Sequence, residues 1–271
     1  PLRRPARIRN RHGTWSENPP SSIDTCGSRW KSVISSERDV HLGFTMKYTI
    51  TGDNLQFVNV ELQPGEEFNS VAGAMAYMSG NMRMESKMEG GLMAGLKRSL
   101  SGASLFLLRY APQGGVGTVG LAGKAPGKVL DIDVGLGSWI VQKTGYLGSE
   151  ITVNLDMALQ KRLGSMMFGG EGLILQRLSG TGRAFIHACG DLNVVDLAPG
   201  EQYKVSTANA VAWEDTVSYD ISAVGGIKTA LFSGEGLFVT TLTGPGKIVI
   251  QSMTLGDLAE SLIPYLPQQS S

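Results

Sequence analysis

The sequence predicts an all-β protein made of three repeated β-sandwich units, and three observations support this fold class. Apolar and polar residues alternate in short runs, as in Val58, Val60 and Leu62, which is the period of a half-buried strand. Glycine accounts for 36 of the 271 residues, against a usual share of about 7%, as in a chain with many tight turns. Finally, related segments recur along the chain in a constant order.

Composition excludes several other classes of protein. Hydrophobic residues make up 42% of the chain, too many for a disordered protein. The apolar runs are far shorter than the 18 or so residues that a membrane-spanning helix needs. Two cysteines, Cys26 and Cys189, are too few for a disulfide framework or a cysteine-based zinc site.

Residues 1–45 differ from the remainder in charge. They carry a net charge of +4, which leaves −4 for residues 46–271, and no apolar period precedes Phe44. We interpret them as a disordered basic tail or an upstream read-through, with Met46 as the true start. An organelle transit peptide or a nucleic-acid arm is the alternative. The first interpretation favours a cytoplasmic protein of prokaryotic type, and a genuine transit peptide would favour mitochondria.

The repeat is visible in two kinds of segment. Residues 170–173 (Gly-Glu-Gly-Leu) return at residues 234–237, and a weaker copy occupies residues 102–105. Residues 60–66, which end in Pro-Gly-Glu, return at residues 195–201 in the same relative order. We therefore expect residues 46–266 to form a single β domain of three units, at about 55–122, 127–190 and 191–253, followed by a tail at residues 267–271.

Glycine and proline predict the turns within each unit. Pro-Gly at 64–65, 126–127 and 199–200 fits a type II turn, in which proline fixes φ and glycine takes a positive φ. The glycines at 180–182 and 244–246 are interpreted as hairpin tips. Alternation predicts inward-facing side chains at Val194, Leu197, Tyr203 and Val205. Three such units predict three sheets about a pseudo-threefold axis and one shared core.

Two stretches depart from this strand pattern. Apolar residues at helical spacing in residues 254–263, ahead of Pro264, predict a short C-terminal helix. Residues 75–100 hold six of the eleven methionines and several glycines. Methionine side chains adapt to varied partners, so this stretch is either a core-filling extension or an interaction segment. The candidate interaction residues are Met88, Gly91, Met93, Gly95, Lys97 and Arg98.

Residues 90–102, 168–190, 197–201 and 231–246 together resemble a known family, named for the mitochondrial protein "altered inheritance of mitochondria 24". The resemblance extends from Met46 to about Leu266. It implies a fold like the tryptophan RNA-binding attenuator protein, frequent assembly into trimers and no established enzyme activity. The mitochondrial members are linked to inner-membrane organisation. The family usually has Glu where this chain has Ala103.

Glu171 and Glu235 are the carboxylates that the repeat singles out, because each lies between glycines at the same place in its unit. Such a pair could bind a cation or a small ligand. The alternative is that each carboxylate accepts backbone N–H groups and fixes a bulge. Both interpretations remain open at this stage.

The sequence offers little material for catalysis. His187 is the only histidine in residues 46–271, which argues against a histidine metal site or a catalytic triad. Residues 115–120 match G-x-G-x-x-G but precede a Pro-Gly pair instead of a helix. The body has a net charge of −4, so RNA binding is not expected.

These observations together predict a non-enzymatic, self-associating β scaffold with no cofactor, no metal and no catalytic residue. A homo-oligomer, with a trimer favoured, is the expected state, and a membrane surface or another protein is the expected partner. The alternative is a small-ligand or cation-binding protein with a pocket between repeats.

Overall fold

The computed structural model describes residues 46–87, 107–161, 172–223 and 238–266, and these residues are predominantly β. After an initial strand β1 (Lys47–Thr51), the strands fall into three sets of six. Set 1 is β2 (Phe57–Leu62), β3 (Phe68–Val71), β4 (Met75–Met78), β5 (Met82–Lys87), β6 (Leu107–Pro112) and β7 (Gly117–Ala122). Set 2 is β8 (Gly127–Asp133), β9 (Trp139–Gln142), β10 (Tyr146–Glu150), β11 (Val153–Lys161), β12 (Leu173–Gly180) and β13 (Arg183–Cys189). Set 3 is β14 (Leu192–Leu197), β15 (Gln202–Ser206), β16 (Ala210–Glu214), β17 (Ser218–Ala223), β18 (Phe238–Thr243) and β19 (Gly246–Gln251).

The strands of each set pair in the same way. The sixth strand lies between the first and the third, and the fifth lies between the second and the fourth, always antiparallel. Each set therefore supplies one half-sheet of its first, sixth and third strands and another of its fourth, fifth and second. The arrangement of the sets about a pseudo-threefold axis stays a prediction.

Half-sheets of neighbouring sets join edge to edge, which gives four sheets. Sheet A has the order β1-β2-β7-β4, sheet B β5-β6-β3-β10-β13-β8, sheet C β11-β12-β9-β16-β19-β14, and sheet D β15-β18-β17. The joints are β3 with β10 in sheet B and β9 with β16 in sheet C. Each joint thus pairs the second strand of one set with the third strand of the next.

The third strand of every set carries the same irregularity. Its pairing with the sixth strand skips one residue, between Met75 and Tyr77, between Tyr146 and Gly148, and between Ala210 and Ala212. A bulge of this kind bends a strand and increases its twist. Its recurrence supplies a residue-by-residue alignment of the three sets.

The buried side chains form three clusters, one for each pair of successive sheets. Phe68, Tyr110 and Phe185 lie in the cluster between sheets A and B. A second cluster fills the space between sheets B and C, and Trp213 lies in the third, between sheets C and D. The expectation of one shared core is therefore wrong, because alternate residues of the inner sheets, such as Phe185 and Ile186, face different clusters.

Two of the three predicted Pro-Gly turns are confirmed. Gly65 and Gly200 have φ of +91° and +80°, and the N–H of the following glutamate donates to the carbonyl three residues earlier in each. The prediction at 126–127 is wrong, since Gly127 begins β8 and its φ is not positive. Gly127 is instead required by close packing, because a Cβ there would collide with the carbonyl oxygen of Ala188.

The glycines at 180–182 and 244–246 mark turns, but the turns are not hairpin tips. They connect β12 to β13 and β18 to β19, and the two strands of each pair belong to different sheets. A hairpin cannot form there, because all four of these strands already have neighbours on both edges. Each turn instead carries the chain from one sheet to the next.

The predicted alternation is right for β2, where Val58, Val60 and Leu62 are buried. In set 3 Leu197 and Val205 are buried as predicted, whereas Val194 and Tyr203 are exposed. Residues 75–87 do not depart from the strand pattern, because they form β4 and β5. The remainder of the methionine-rich stretch, residues 88–106, lies outside the described residues.

The predicted C-terminal helix is confirmed as α1 (Leu255–Leu262). Thr254 caps its first turn: the hydroxyl of Thr254 accepts the N–H of Asp257, and the Asp257 carboxylate accepts the N–H of Thr254. This reciprocal pair satisfies two backbone donors at the start of the helix. Pro264 follows the helix in a short 3-10 turn, Ile263–Tyr265.

Candidate interaction surface

The predicted site residues lie outside the described part of the chain. Glu171 and Glu235 are two of them, and the candidate interaction residues form the remainder: Met88, Gly91, Met93, Gly95, Lys97 and Arg98. Their roles stay predictions. The described residues nevertheless contain a surface that the sequence did not single out, formed by two strands at opposite ends of the sheet series.

These two strands, β4 and β15, pair on one edge only among the described residues. β4 is the third strand of set 1 and pairs with β7, and β15 is the second strand of set 3 and pairs with β18. Their counterparts in the other sets, β3, β9, β10 and β16, each pair with a strand on both edges. We refer to the free edges of β4 and β15 as the end edges.

The side chains on the end edges are correspondingly exposed. Every residue of β9 is buried, and β10 and β16 are buried except at their last residue. In contrast, Tyr77 of β4 is 48% exposed and Tyr203 of β15 is 40% exposed. The counterparts of Tyr203 in the other sets, Phe68 and Trp139, are 0% and 7% exposed. The end edges thus carry aromatic side chains at positions that are covered elsewhere in the molecule.

Tyr77 is held flat across the outer face of sheet A. Its hydroxyl donates to the side-chain oxygen of Asn59 at 2.6 Å, and its ring covers Gly120, where any Cβ would collide with the ring. Glycine at this position therefore makes room for the aromatic ring. An aromatic ring fixed in this way offers apolar area at a low cost in conformational entropy.

Several polar contacts converge on β8, the first strand of set 2. Lys128 Nζ of set 2 lies 2.8 Å from Asp53 Oδ1 and 3.5 Å from Asp191 Oδ1, and the hydrogen bond to Asp53 is the main cause that raises the pKa of the lysine. The Asp131 carboxylate accepts from Arg183 at 2.8 Å and from the Tyr48 hydroxyl at 2.7 Å. The Tyr48 hydrogen bond connects sheet A to sheet B, whereas the Arg183 pair lies within sheet B. None of these contacts involves a residue of β4 or β15.

At or directly after the end of each third strand, a side chain accepts a backbone N–H of the sixth strand. Glu150 accepts from Arg183 at 3.3 Å and Glu214 from Lys247 at 3.0 Å, while the hydroxyl of Ser79 takes this role in set 1 with Thr118 at 3.0 Å. Burial raises the pKa of Glu150. No shared motif marks these carboxylates in the sequence, and their positions become comparable only once the bulges align the three sets.

The two reactive side chains of set 2 are enclosed. Burial lowers the pKa of His187, opposed by a hydrogen bond with the backbone of Ala125, and burial raises the pKa of Cys189. The His187 ring fills the space next to Gly123 and Gly127, where a Cβ would collide with it or press against it. A neutral, buried thiol is a poor nucleophile, so both residues fit a structural role.

The C-terminal helix presents apolar side chains to solvent. No residue of α1 is buried, and Leu262, Ile263, Tyr265 and Leu266 are all more than half exposed. Asp257 and Glu260 are its charged residues. In the described ranges, no helix is long and apolar enough to cross a membrane.

The fold is that of an all-β protein of layered, edge-joined sheets, in which β4 and β15, unlike their counterparts in the other sets, keep a free edge among the described residues. The sequence pattern of the family described as "Mitochondrial biogenesis AIM24" matches residues 48–253. This chain belongs to the AIM24 family, and the resemblance found in the sequence is confirmed.

Two relatives from Streptococcus pyogenes support this assignment. An uncharacterised protein of serotype M6 is 29% identical over 236 residues, which span 83% of this chain and 93% of the relative. The X-ray crystal structure of a protein from this species is similar with a TM-score of 0.69 and 26% identity, over 82% of this chain and 100% of the other.

Proposed function

We propose that this protein is a non-enzymatic, self-associating β scaffold of the AIM24 family. The observation that carries the proposal is the pair of end edges, β4 and β15, which are exposed where every corresponding strand is covered. An exposed strand edge presents unpaired backbone N–H and C=O groups, and these favour pairing with another chain. The buried, structural setting of His187 and Cys189 supports a role in binding and not in catalysis.

Native mass spectrometry of the full-length chain tests self-association. We expect a discrete multiple of the 28.9 kDa chain mass, with three copies as the favoured state. The same measurement tests the alternative of a small-ligand or cation-binding protein, since a constant added mass per chain would support that alternative. A monomer at every concentration, confirmed by light scattering, would contradict the scaffold.

We also propose that the scaffold contacts a membrane surface or protein partner through the apolar end of α1. Leu262, the last residue of α1, is 51% exposed, and Ile263 and Leu266, which follow it directly, are 63% and 60% exposed. The end of the helix and the turn after it thus form an apolar surface that can lie at a lipid interface. Flotation of the full chain with phosphatidylcholine vesicles tests this contact. We expect I263S/L266S to reduce the bound fraction and L136S, a change at a residue that is 89% exposed elsewhere, to leave it unchanged.

Equal flotation of the two variants would contradict the membrane contact at α1. Because the acidic residues of α1 do not favour anionic lipid, uncharged vesicles are the appropriate probe. Full retention of self-association in I263S/L266S is expected, since α1 contributes no residue to the end edges.

A further inference from the structure

The three sets of strands define a rule for joining one set to the next. At both joints within the chain, the second strand of one set pairs antiparallel with the third strand of the following set. By this rule β15, the second strand of set 3, lacks the third strand of a following set. β4, the third strand of set 1, lacks the second strand of a preceding set. β4 is thus the kind of strand that β15 lacks as a neighbour, and β15 is the kind of strand that β4 lacks.

We infer that β15 of one copy pairs with β4 of a second copy, head to tail, in the geometry of the internal joints. This inference rests on the proposed self-association and names its surface. The two edges lie on sheets A and D, the first and last of the series, and each buried cluster joins successive sheets only. A second copy is therefore the occupant that the inferred joint requires.

The internal joints also fix the register of this pairing. In them Phe68 faces Glu150 and Trp139 faces Glu214. Tyr203 corresponds to Phe68, because each follows the glutamate of its Pro-Gly-Glu turn by two residues.

The bulges then align the third strands. Tyr77 corresponds to Gly148 and Ala212, so Ser79 corresponds to Glu150 and Glu214. Tyr203 thus faces Ser79, Lys204 faces Met78, and Val205 faces Tyr77.

The sheet faces beside β4 and β15 also support a second copy as the partner. Within the chain, each joint lets the following set pack an outer face on the preceding sheet: Leu147 and Phe185 enter the first cluster, and Val211 and Val249 enter the second. In set 1 the corresponding outer face is covered by the Tyr77 ring on Gly120. The inferred joint places this ring against sheet C of the neighbouring copy, beside the third cluster, where Tyr203 is also exposed.

A heterologous joint of this kind leaves one β4 and one β15 free unless the copies close into a ring. A discrete native mass therefore implies closure, and an open series of masses implies a filament. Both outcomes use the same joint, and the cross-linking below tests the joint itself.

Cysteine cross-linking between two different single variants tests the register. Directly opposed Cα atoms of an antiparallel pair lie about 4.5–5.5 Å apart, within the range that a disulfide spans. Both chains also carry Cys26→Ser. The buried Cys189 is then the only natural cysteine that remains. We expect an equimolar mixture of M78C and K204C chains to form a covalent dimer on mild oxidation, and either variant alone to form none.

The matched control replaces M78C with T51C, which lies on β1 at the opposite edge of sheet A. We expect T51C and K204C chains not to cross-link. A second measurement uses Tyr77→Arg, at an exposed position, with Leu136→Arg as its control. We expect Y77R to raise the protein concentration at which half of the copies are dissociated by about tenfold or more, because a charge becomes buried in the joint. We expect L136R to leave this concentration unchanged.

The outcomes separate the inference from the proposed function. A multimer that persists without the M78C–K204C cross-link and is unaffected by Y77R would overturn the inference and keep the scaffold. A chain carrying both cysteines that cross-links only within itself would also overturn it. A monomer throughout would overturn both.

Discussion

At the scale of single residues, the glycines of the two Pro-Gly turns are required by backbone conformation alone. Gly65 has φ of +91°, and a Cβ there would meet no atom within 4 Å. A non-glycine residue in this region costs about 1–2 kcal/mol. We expect Gly65→Ala to lower the free energy of unfolding by about 1 kcal/mol, as measured by urea denaturation.

The control for this change is Gly80→Ala. Gly80 also has open space around it, but its φ is not positive. Alanine there is expected to be neutral or to stabilise the fold by up to about 1 kcal/mol, because it reduces the conformational entropy of the unfolded chain. Equal losses in the two variants would show that φ is not the cause.

Glu150 gives the pH dependence of stability a defined sign. Burial raises its pKa in the folded state, so the folded protein holds this proton more tightly than the unfolded chain does. The contribution of this group to stability is therefore present at acidic pH and is lost as the pH rises through the folded-state pKa.

Glutamine at position 150 keeps an acceptor for the Arg183 N–H and carries no charge. We expect the unfolding free energy of E150Q, relative to the unchanged protein, to improve as the pH rises from about 4 to about 7. Parallel urea titrations measure this difference. E214Q makes the same substitution at the corresponding bond to Lys247 and serves as the matched comparison. A pH-independent difference for E150Q would contradict the assignment.

At the scale of elements, local sequence patterns correctly predicted the features that depend on only a few neighbouring residues. The Pro-Gly-Glu turns, the alternation in β2 and the capped C-terminal helix follow from φ preferences, side-chain period and capping chemistry within a few residues. The hairpins at 180–182 and 244–246 failed because a glycine-rich turn fixes only where the chain reverses. The sheet that each strand joins depends on pairing with strands distant in the sequence, such as β9 beside β12 and β10 beside β13.

The helix α1 is expected to behave as a separately stabilised element. Because no residue of α1 is buried, its cap contributes a large share of its stability. We expect Thr254→Ala to cost about 1 kcal/mol locally and to speed amide hydrogen exchange across Leu255–Leu262. Ser261→Ala, in the last turn of the helix, is the control, and unchanged exchange in T254A would contradict the role of the cap.

At the scale of the whole molecule, the repeat in the sequence indicated recurring units but not how they join. The end edges were not foreseen because an edge exists only once the order of strands in a sheet is known. The one available signal was the repeat itself, since a linear series of joined units leaves its first and last members without a neighbour. Val194 and Tyr203 were predicted inward for the same reason: their burial depends on partners outside the local sequence.

Self-association through the end edges makes stability depend on protein concentration. When folding is coupled to assembly, a tenfold rise in protein concentration increases the free energy of unfolding per chain by at most about 1.4 kcal/mol for each joint. For a chain of this size that corresponds to a few degrees in the midpoint of thermal unfolding. We expect the midpoint to rise with concentration in the unchanged protein, as measured by scanning calorimetry.

Tyr203→Ser separates this effect from ordinary stability. Tyr203 is partly exposed within one copy, so its loss is expected to change the dilute-limit midpoint little and to flatten the dependence on concentration. Val194→Ser, at another exposed residue of set 3, provides the control that keeps the dependence. If Y203S and V194S retained the same slope, the joint would have to lie elsewhere on the molecule. A slope lost only in Y203S would mean that one side chain, on a strand with one free edge, links the stability of each copy to the presence of the next.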